Sequence, residues 1–226
     1  MSVRIRVWDL PVRLFHWSLV AVVATSLATG WAGGRWMTWH LRSGYALVAL
    51  LVFRWAWGLV GSHHARWAHF LAGPRRVVAY LRGEAPQHWL GHNPAGGWSV
   101  LAMLVALSLQ VGSGLFANDQ VFTEGPLASW VPDRVSEALT RYHVDIGLPL
   151  LYGLLALHLA ALGYHLLIRR EDLLRPMLHG DKHLPDDGAA ARPPASRDDW
   201  RLRLLAALLL GCGAALALWL RWLGRA

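Results

Sequence analysis

Five long apolar segments dominate the pattern of hydrophobic and polar positions along the chain. Each is close to the ~20 residues that a helix needs to cross the hydrocarbon core of a bilayer. The stretch 63–82 between the second and third segments is too polar to span and is predicted to be an amphipathic surface segment. The pattern therefore predicts an all-α membrane protein with five spans, at about 14–30, 40–60, 98–117, 144–168 and 202–222.

The spans divide the chain into three predicted parts. Residues 1–183 contain the first four segments, which suit a four-helix transmembrane bundle. Residues 184–200 are rich in Ala, Asp and Pro and predict a flexible cytoplasmic linker that isolates the fifth helix from the rest. Residues 201–226 form an extra C-terminal transmembrane helix. No clear cleavage site follows the first segment, so we expect it to be a retained anchor.

The distribution of charge along the chain indicates the orientation of the protein in the membrane and does not indicate a nucleic-acid partner. The chain has 22 Lys+Arg against 14 Asp+Glu, a formal net charge of +8. Most of the basic residues lie before the first segment, between the second and third, and between the fourth and fifth. Basic loops remain on the cytoplasmic side. We therefore expect a multi-pass protein of the bacterial inner membrane with a cytoplasmic N-terminus and a periplasmic C-terminus.

Cysteine usage narrows the possible redox chemistry. The single cysteine, Cys212, excludes an internal disulfide and a cysteine-ligated iron–sulfur cluster. Covalently attached c-type haem is excluded as well, because the chain has no Cys-x-x-Cys-His sequence. Any redox cofactor must be held by other ligands, and the chain has 12 His.

Ionisable residues inside spans are rare and usually functional. His16 is expected near the cytoplasmic face, whereas His40 and His143 are expected at one level near the periplasmic face. His158 follows His143 by 15 residues, about 22 Å along a helix. The fourth helix thus offers two imidazoles, one above the other, and the first and second helices offer one opposing imidazole at each level. This arrangement suits two haems, each with two axial histidines.

Glycines favour haem over the simpler interpretation. Gly44 follows His40 by four residues and Gly147 follows His143 by four. A glycine one turn away on the same face lets a flat macrocycle lie close to the backbone. The alternative is that the histidines bond to neighbouring helices or line a water path.

Four other polar residues in or beside the spans are candidates for roles at the haems. His165 lies ~10 Å beyond His158 on nearly the same helix face and is the rival for the inner haem. We prefer His158, because using His165 would spread the two haem ligands on the fourth helix to ~33 Å, and such a gap would slow electron transfer between the haems. Arg54 suits either snorkelling or an inner haem propionate, and Arg42 and Arg141 suit the outer propionates.

Several motifs together resemble the bacterial cytochrome b561 family, which includes b-type cytochrome subunits of nickel–iron hydrogenases. The resemblance covers about residues 5–183. The motifs are VWDLPVRLFHW at 7–17, HLRSGYALVALLVFRWAWGLVG at 40–61, GHNPAGGWSVLAML at 91–104, SGLFANDQ at 113–120 and LHLAALGYHLLIRREDLLRPMLHG at 157–180.

The resemblance implies a four-helix bundle with two non-covalent b haems. It pairs His16 with His158 at the inner haem and His40 with His143 at the outer one. Two features depart from the family pattern. The ligands on the fourth helix are 15 residues apart where 14 is usual, so the extra residue must be absorbed near Pro149, and the fifth helix is additional.

The resemblance further implies electron transfer between the quinone pool and a periplasmic redox partner, such as a c-type cytochrome, a hydrogenase or another dehydrogenase. A superoxide oxidase that reduces quinone is the redox alternative, and Arg35 and Arg42 on the periplasmic face would attract its anion. A transporter or membrane anchor without haem is the alternative of another class. Membrane lipid and quinone are further expected partners, a homodimer stays open, and nucleic acid is not expected.

Overall fold

The structure, a computed structural model, describes residues 2–84, 89–121, 123–185 and 194–224. Within them, five helical stretches are long and apolar enough to cross a membrane, which confirms the predicted spans. The stretches are Leu10–Ala32, Gly34–Val60, Pro94–Gly114, Asp133–Leu167 and Trp200–Leu223.

The spans are built from the longer helices of the chain. These are α1 (Leu10–Ala32), α2 (Met37–Val60), α5 (Pro94–Gly114), α7 (Leu148–Leu167) and α9 (Trp200–Leu223). Asn93 caps α5, since its Oδ1 accepts a hydrogen bond from Gly96 N at 2.6 Å and Pro94 is the first helical residue.

Shorter elements connect the spans. The stretch 63–82 contains α3 (Trp67–Phe70) and α4 (Pro74–Leu81) rather than one continuous helix. The fourth span begins with α6 (Asp133–Arg141), passes through a π-helical turn (Tyr142–Gly147) and continues as α7. The last short elements are α8 (Leu174–His179) and the antiparallel strands β1 (Ser2–Arg6) and β2 (Asp181–Pro185).

The chain divides into two compact units, each made of segments that are distant in sequence. Unit 1 comprises Met1–Phe15, Trp55–Ala102 and Leu157–Ala207. Unit 2 comprises His16–Arg54, Met103–Ala156 and Leu208–Ala226.

In unit 1, a buried aspartate starts α1. Asp9 is fully buried, and its Oδ1 accepts a hydrogen bond from Val12 N at 2.6 Å while its Oδ2 accepts one from Trp57 Nε1 at 3.2 Å. Burial raises the pKa of the Asp9 carboxyl, although the hydrogen bonds from Val12 and Trp57 oppose the rise. The motif around Asp9 thus has a structural role as an N-cap that also fixes Trp57.

Residues after β2 are fixed to the N-terminal strand. Residues 186–193 of the predicted linker lie outside the described residues. Ser196 is buried, its N donates to Arg6 O at 2.7 Å, and its Oγ donates to Val7 O at 2.6 Å. Arg6 also pairs with Asp198 at 3.0 Å. The expectation that this linker isolates the fifth helix is therefore wrong for residues 194–199.

In unit 2, the second half of α9 packs against α2. Val48 and Ala49 form a buried cluster with Ala217 and Leu220. A Cβ on Gly213 would lie 2.6 Å from Ala49 O, so glycine permits this close approach of the two helices. The second half of the fifth helix is thus packed against α2 rather than separate from it.

Candidate functional site

Two of the predicted haem ligands meet in unit 2. The rings of His40, from α2, and His143, from the π-helical turn, have centroids 6.1 Å apart and planes at 86°. Both side chains are partly buried. The structure thus brings together the two histidines that the sequence places at the outer level.

The His40 imidazole is oriented by α1. Its Nδ1 lies 2.9 Å from the carbonyl oxygen of Ser26, so Nδ1–H donates and Nε2 is the nitrogen with the free lone pair. Gly30 lies against the ring, and a Cβ there would lie 2.9 Å from His40 Nδ1. The glycine therefore makes room for the imidazole between the two helices.

The His143 imidazole is held in the same way by α5. Its Nδ1 donates to Gln110 O at 2.9 Å, and Gln110 Nε2 donates back to the His143 carbonyl at 2.9 Å. A Cβ on Gly114 would lie 2.9 Å from His143 Cε1. In both histidines a backbone carbonyl selects one tautomer and leaves Nε2 available as a metal ligand.

A π-helical turn adds one residue to the fourth span between His143 and His158. A π turn closes with i→i+5 hydrogen bonds and contains one residue more than an α turn. The Leu148 N–H bonds to His143 O across it. Pro149 follows directly and has no N–H to donate, which favours the change of hydrogen bonding at this point. The extra residue is thus absorbed just before Pro149.

A cavity of about 310 Å³ adjoins the two histidines within unit 2. Its lining is mostly apolar and includes His40, His143 and Gly44. No heavy atom lies within 4 Å of the position of a Cβ on Gly44, so this glycine borders open space. The Gln110 amide occupies the room beside Gly147, where a Cβ would overlap its Oε1. Gly44 therefore lies beside a cavity, whereas Gly147 contacts Gln110.

The residues present fit a haem iron between His40 and His143. A metal ion bound ~2.0–2.1 Å from a nitrogen of each of two opposed imidazoles separates the ring centres by roughly 6 Å. The observed 6.1 Å matches that separation. Both Nδ1 atoms are already engaged, so the remaining nitrogens are the ones that the iron requires.

The predicted inner ligands belong to different units. His16 lies in unit 2 and is partly buried, with its ring 5.1 Å from that of Trp17. His158 lies in unit 1 and is partly buried on α7. Their pairing stays a prediction.

The rival histidine is part of a polar network in unit 1. His165 Nδ1 lies 3.1 Å from Glu171 Oε2, and Lys182 Nζ lies 2.6 Å from Glu171 Oε1. Burial alone would raise the pKa of Glu171, but the hydrogen bonds and charges of Lys182 and His165 lower it below its usual 4.5. His165 thus has a structural role at the end of α7 that requires no haem.

The three candidate propionate arginines differ in exposure. Arg42 is exposed, and its guanidinium lies over the Trp39 ring at 4.8 Å from the centroid. Arg141 is exposed in the last turn of α6. Arg54 is only 4% exposed within α2, which does not fit simple snorkelling to water.

Comparison with known proteins agrees with this site. A family model described as prokaryotic cytochrome b561 matches residues 7–180. A probable Ni/Fe-hydrogenase B-type cytochrome subunit of Bradyrhizobium diazoefficiens is 22% identical over 217 residues, which cover 80% of this chain and 86% of the relative. The protein of the same name from Azotobacter chroococcum mcd 1 is 24% identical, covering 80% and 89%. No solved structure matches significantly.

The chain belongs to the prokaryotic cytochrome b561 family. It is a multi-pass membrane b-type cytochrome that binds haem b and transfers electrons across the membrane. The family match ends before α9, so the fifth helix lies outside it.

Four residues that orient the imidazoles were not singled out from the sequence. Ser26 and Gln110 act through backbone carbonyls, which leave no trace in a residue pattern. Gly30 and Gly114 act by their small size. Gln110 did carry a signal, because it is a polar residue in the middle of an apolar span.

Proposed function

We propose that this protein carries electrons across the bacterial inner membrane through two b haems, between the quinone pool and a periplasmic redox partner. His40 and His143 ligate the outer haem, and His16 and His158 ligate the inner one. The observation that carries the proposal is the His40–His143 pair, with ring centroids 6.1 Å apart and both Nδ1 atoms held by carbonyls.

Haem b supplies a one-electron redox centre at membrane depth. The chain's own residues would keep the same two imidazoles in place as ligands of the outer haem. The carbonyls of Ser26 and Gln110 hold each outer imidazole in one tautomer and orientation, which limits movement of the ligands when the charge of the iron changes. The apolar lining excludes water and keeps the local dielectric low.

Ligand substitution tests the two-haem assignment. His40→Ala and His143→Ala should each remove the same haem, and His16→Ala and His158→Ala the other, leaving about half of the haem in every case. His165→Ala is the matched control on α7 and should retain both haems. Haem per protein and the low-spin absorption bands are measured after purification. Loss of the inner haem in His165→Ala with retention in His158→Ala would reverse the choice of ligand.

The arginine-rich loops support a cytoplasmic N-terminus and a periplasmic C-terminus. Reporter fusions after Arg82 and after Arg175 should report cytoplasm. Fusions within 119–137 or at the C-terminus should report periplasm. A periplasmic segment at 63–84 would invert the proposed orientation.

The names of the two relatives support a hydrogenase-type partner, since both are called probable B-type cytochrome subunits of a Ni/Fe hydrogenase. We place the redox partner at the outer haem, which a soluble periplasmic protein could reach. Charge complementarity between the two proteins would set their rate of encounter. We place the quinone beside the inner haem, which a lipid-soluble carrier reaches from the bilayer.

Quinol added to the detergent-solubilised protein should reduce its haem. A quinone-site inhibitor should perturb the spectrum of the haem that is lost in His16→Ala. Perturbation of only the haem lost in His40→Ala would place the quinone site on the periplasmic side and favour a superoxide oxidase. A colourless protein would favour a transporter or anchor.

A further inference from the structure

The amphipathic segment of unit 1, residues 63–82, contains four arginines and no Asp or Glu. Its arginines form no ion pair with any residue in the described part of the chain. Glu84, at the end of the segment, is the nearest acidic residue in sequence. Among these arginines, Arg75 and Arg82 are exposed and present positive charge without a paired carboxylate in the described residues.

One face of α4 is occupied by the protein itself. The Arg76 guanidinium lies over the Trp89 ring at 4.8 Å, and the Tyr80 and Trp89 ring centroids are 6.4 Å apart. Lys182 Nζ in turn donates to Trp89 O at 2.7 Å. This face is thus fixed to the rest of unit 1.

The other face of α4 has no covering within the described residues. Arg75, Val78 and Arg82 follow one another at i, i+3 and i+7 and share one side of the helix. Leu81 lies beside them. Val78 is 45% exposed and Leu81 is 70% exposed. A face that combines apolar side chains with arginines is typical of helices at the membrane interface.

We propose that this exposed face of α4 binds anionic phospholipid in the membrane that the protein spans. Val78 and Leu81 contact the acyl region near the headgroups, and Arg75 and Arg82 donate hydrogen bonds to the lipid phosphates. Charge complementarity carries the choice of an anionic lipid. Since five spans hold the chain in a bilayer, the segment between two of them is confined close to lipid.

A fluorescent label on the exposed face measures which lipid lies there. The full-length haem-loaded protein with Cys212→Ala and Val78→Cys is labelled with bimane, because Cys212 is the chain's single cysteine. It is placed in vesicles of phosphatidylcholine containing a fixed fraction of brominated phosphatidylglycerol or brominated phosphatidylcholine. Brominated phosphatidylglycerol should quench the label more strongly at equal mole fraction.

Two double variants separate local binding from overall charge. Arg75→Gln with Arg82→Gln should reduce the preference for phosphatidylglycerol by up to about fivefold per arginine. Arg35→Gln with Arg134→Gln removes the same charge from exposed positions of unit 2 and should leave the preference unchanged. The absorption spectrum of the bound haem confirms that each variant is folded.

Three outcomes would overturn the proposal. Equal quenching by the two brominated lipids means that the face enters the bilayer without selecting a headgroup. Absence of quenching by both means that it faces water or another protein. Loss of the preference on adding inorganic phosphate at constant ionic strength, compared with chloride, means that it binds free phosphate rather than a lipid.

Discussion

Replacing Gly114 by alanine tests whether the room beside His143 matters for cofactor binding. The added Cβ would lie 2.9 Å from His143 Cε1 and 3.2 Å from its Nδ1. Favourable carbon–carbon contacts need about 3.5 Å, so the ring must move by roughly 0.6 Å. That movement strains the 2.9 Å hydrogen bond to Gln110 O, which orients the ring.

The expected cost is about 1–3 kcal/mol, the usual range for overpacking. If the cost falls on the ligated state, it weakens outer-haem binding by about 5- to 150-fold. Gly112→Ala is the matched control, because it lies in the same helix and no heavy atom lies within 4 Å of its added Cβ.

The measurement is the rate of haem transfer from purified protein to excess apomyoglobin, together with the haem content per chain. Gly114→Ala should lose one haem faster while the second is retained, and Gly112→Ala should behave like the wild type. Equal transfer rates in the two variants would refute the role assigned to the His143 environment.

Three further predictions concern the stability of the protein, and each is measured by the midpoint of thermal unfolding. Gly213→Leu should destabilise the protein by about 1–3 kcal/mol or more, because the new side chain meets the α2 backbone. Gly211→Leu is the control, because its side chain points into open space and should not destabilise the protein. Equal unfolding midpoints of the two variants would contradict the packing of α9 against α2. Asp9→Asn should lower the free energy of unfolding by about 1–3 kcal/mol, because the asparagine keeps one acceptor oxygen and its NH2 group replaces the other. Trp57 Nε1 and Val12 N then cannot both donate to this side chain. An unchanged unfolding midpoint would contradict this role of Asp9. The folded-state pKa of Glu171 lies below 4.5, so its contribution is present above pH 4.5 and is lost as the pH falls through the folded pKa. The stability advantage of the wild type over Glu171→Gln should therefore shrink on acidification, and an advantage that grows would refute the ion pair.

The positions of the spans could be predicted from the sequence because length and apolarity alone define them. The close approach of His40 and His143 could also be predicted, since their depths follow from the order and direction of the spans. The partners of their rings could not, because Ser26 and Gln110 contribute backbone oxygens.

The prediction of a flexible linker failed at residues 194–199 for a related reason. Composition indicated a flexible segment, but composition carries no information on individual hydrogen bonds. Ser196 makes two of them to the end of β1, and it is buried there. Such a contact depends on a strand more than 180 residues earlier in the chain.

The π-helical turn at Tyr142–Gly147 also bears on how the length of the fourth span can vary. Deleting one residue from within the turn, such as Val144, would convert it into an ordinary α turn and leave both flanking helices in phase. A deletion inside α7 would instead rotate every later side chain by about 100°. Length differences between this chain and its relatives should therefore concentrate at residues 142–147. A one-residue deletion there should be tolerated where the same change ten residues later is not.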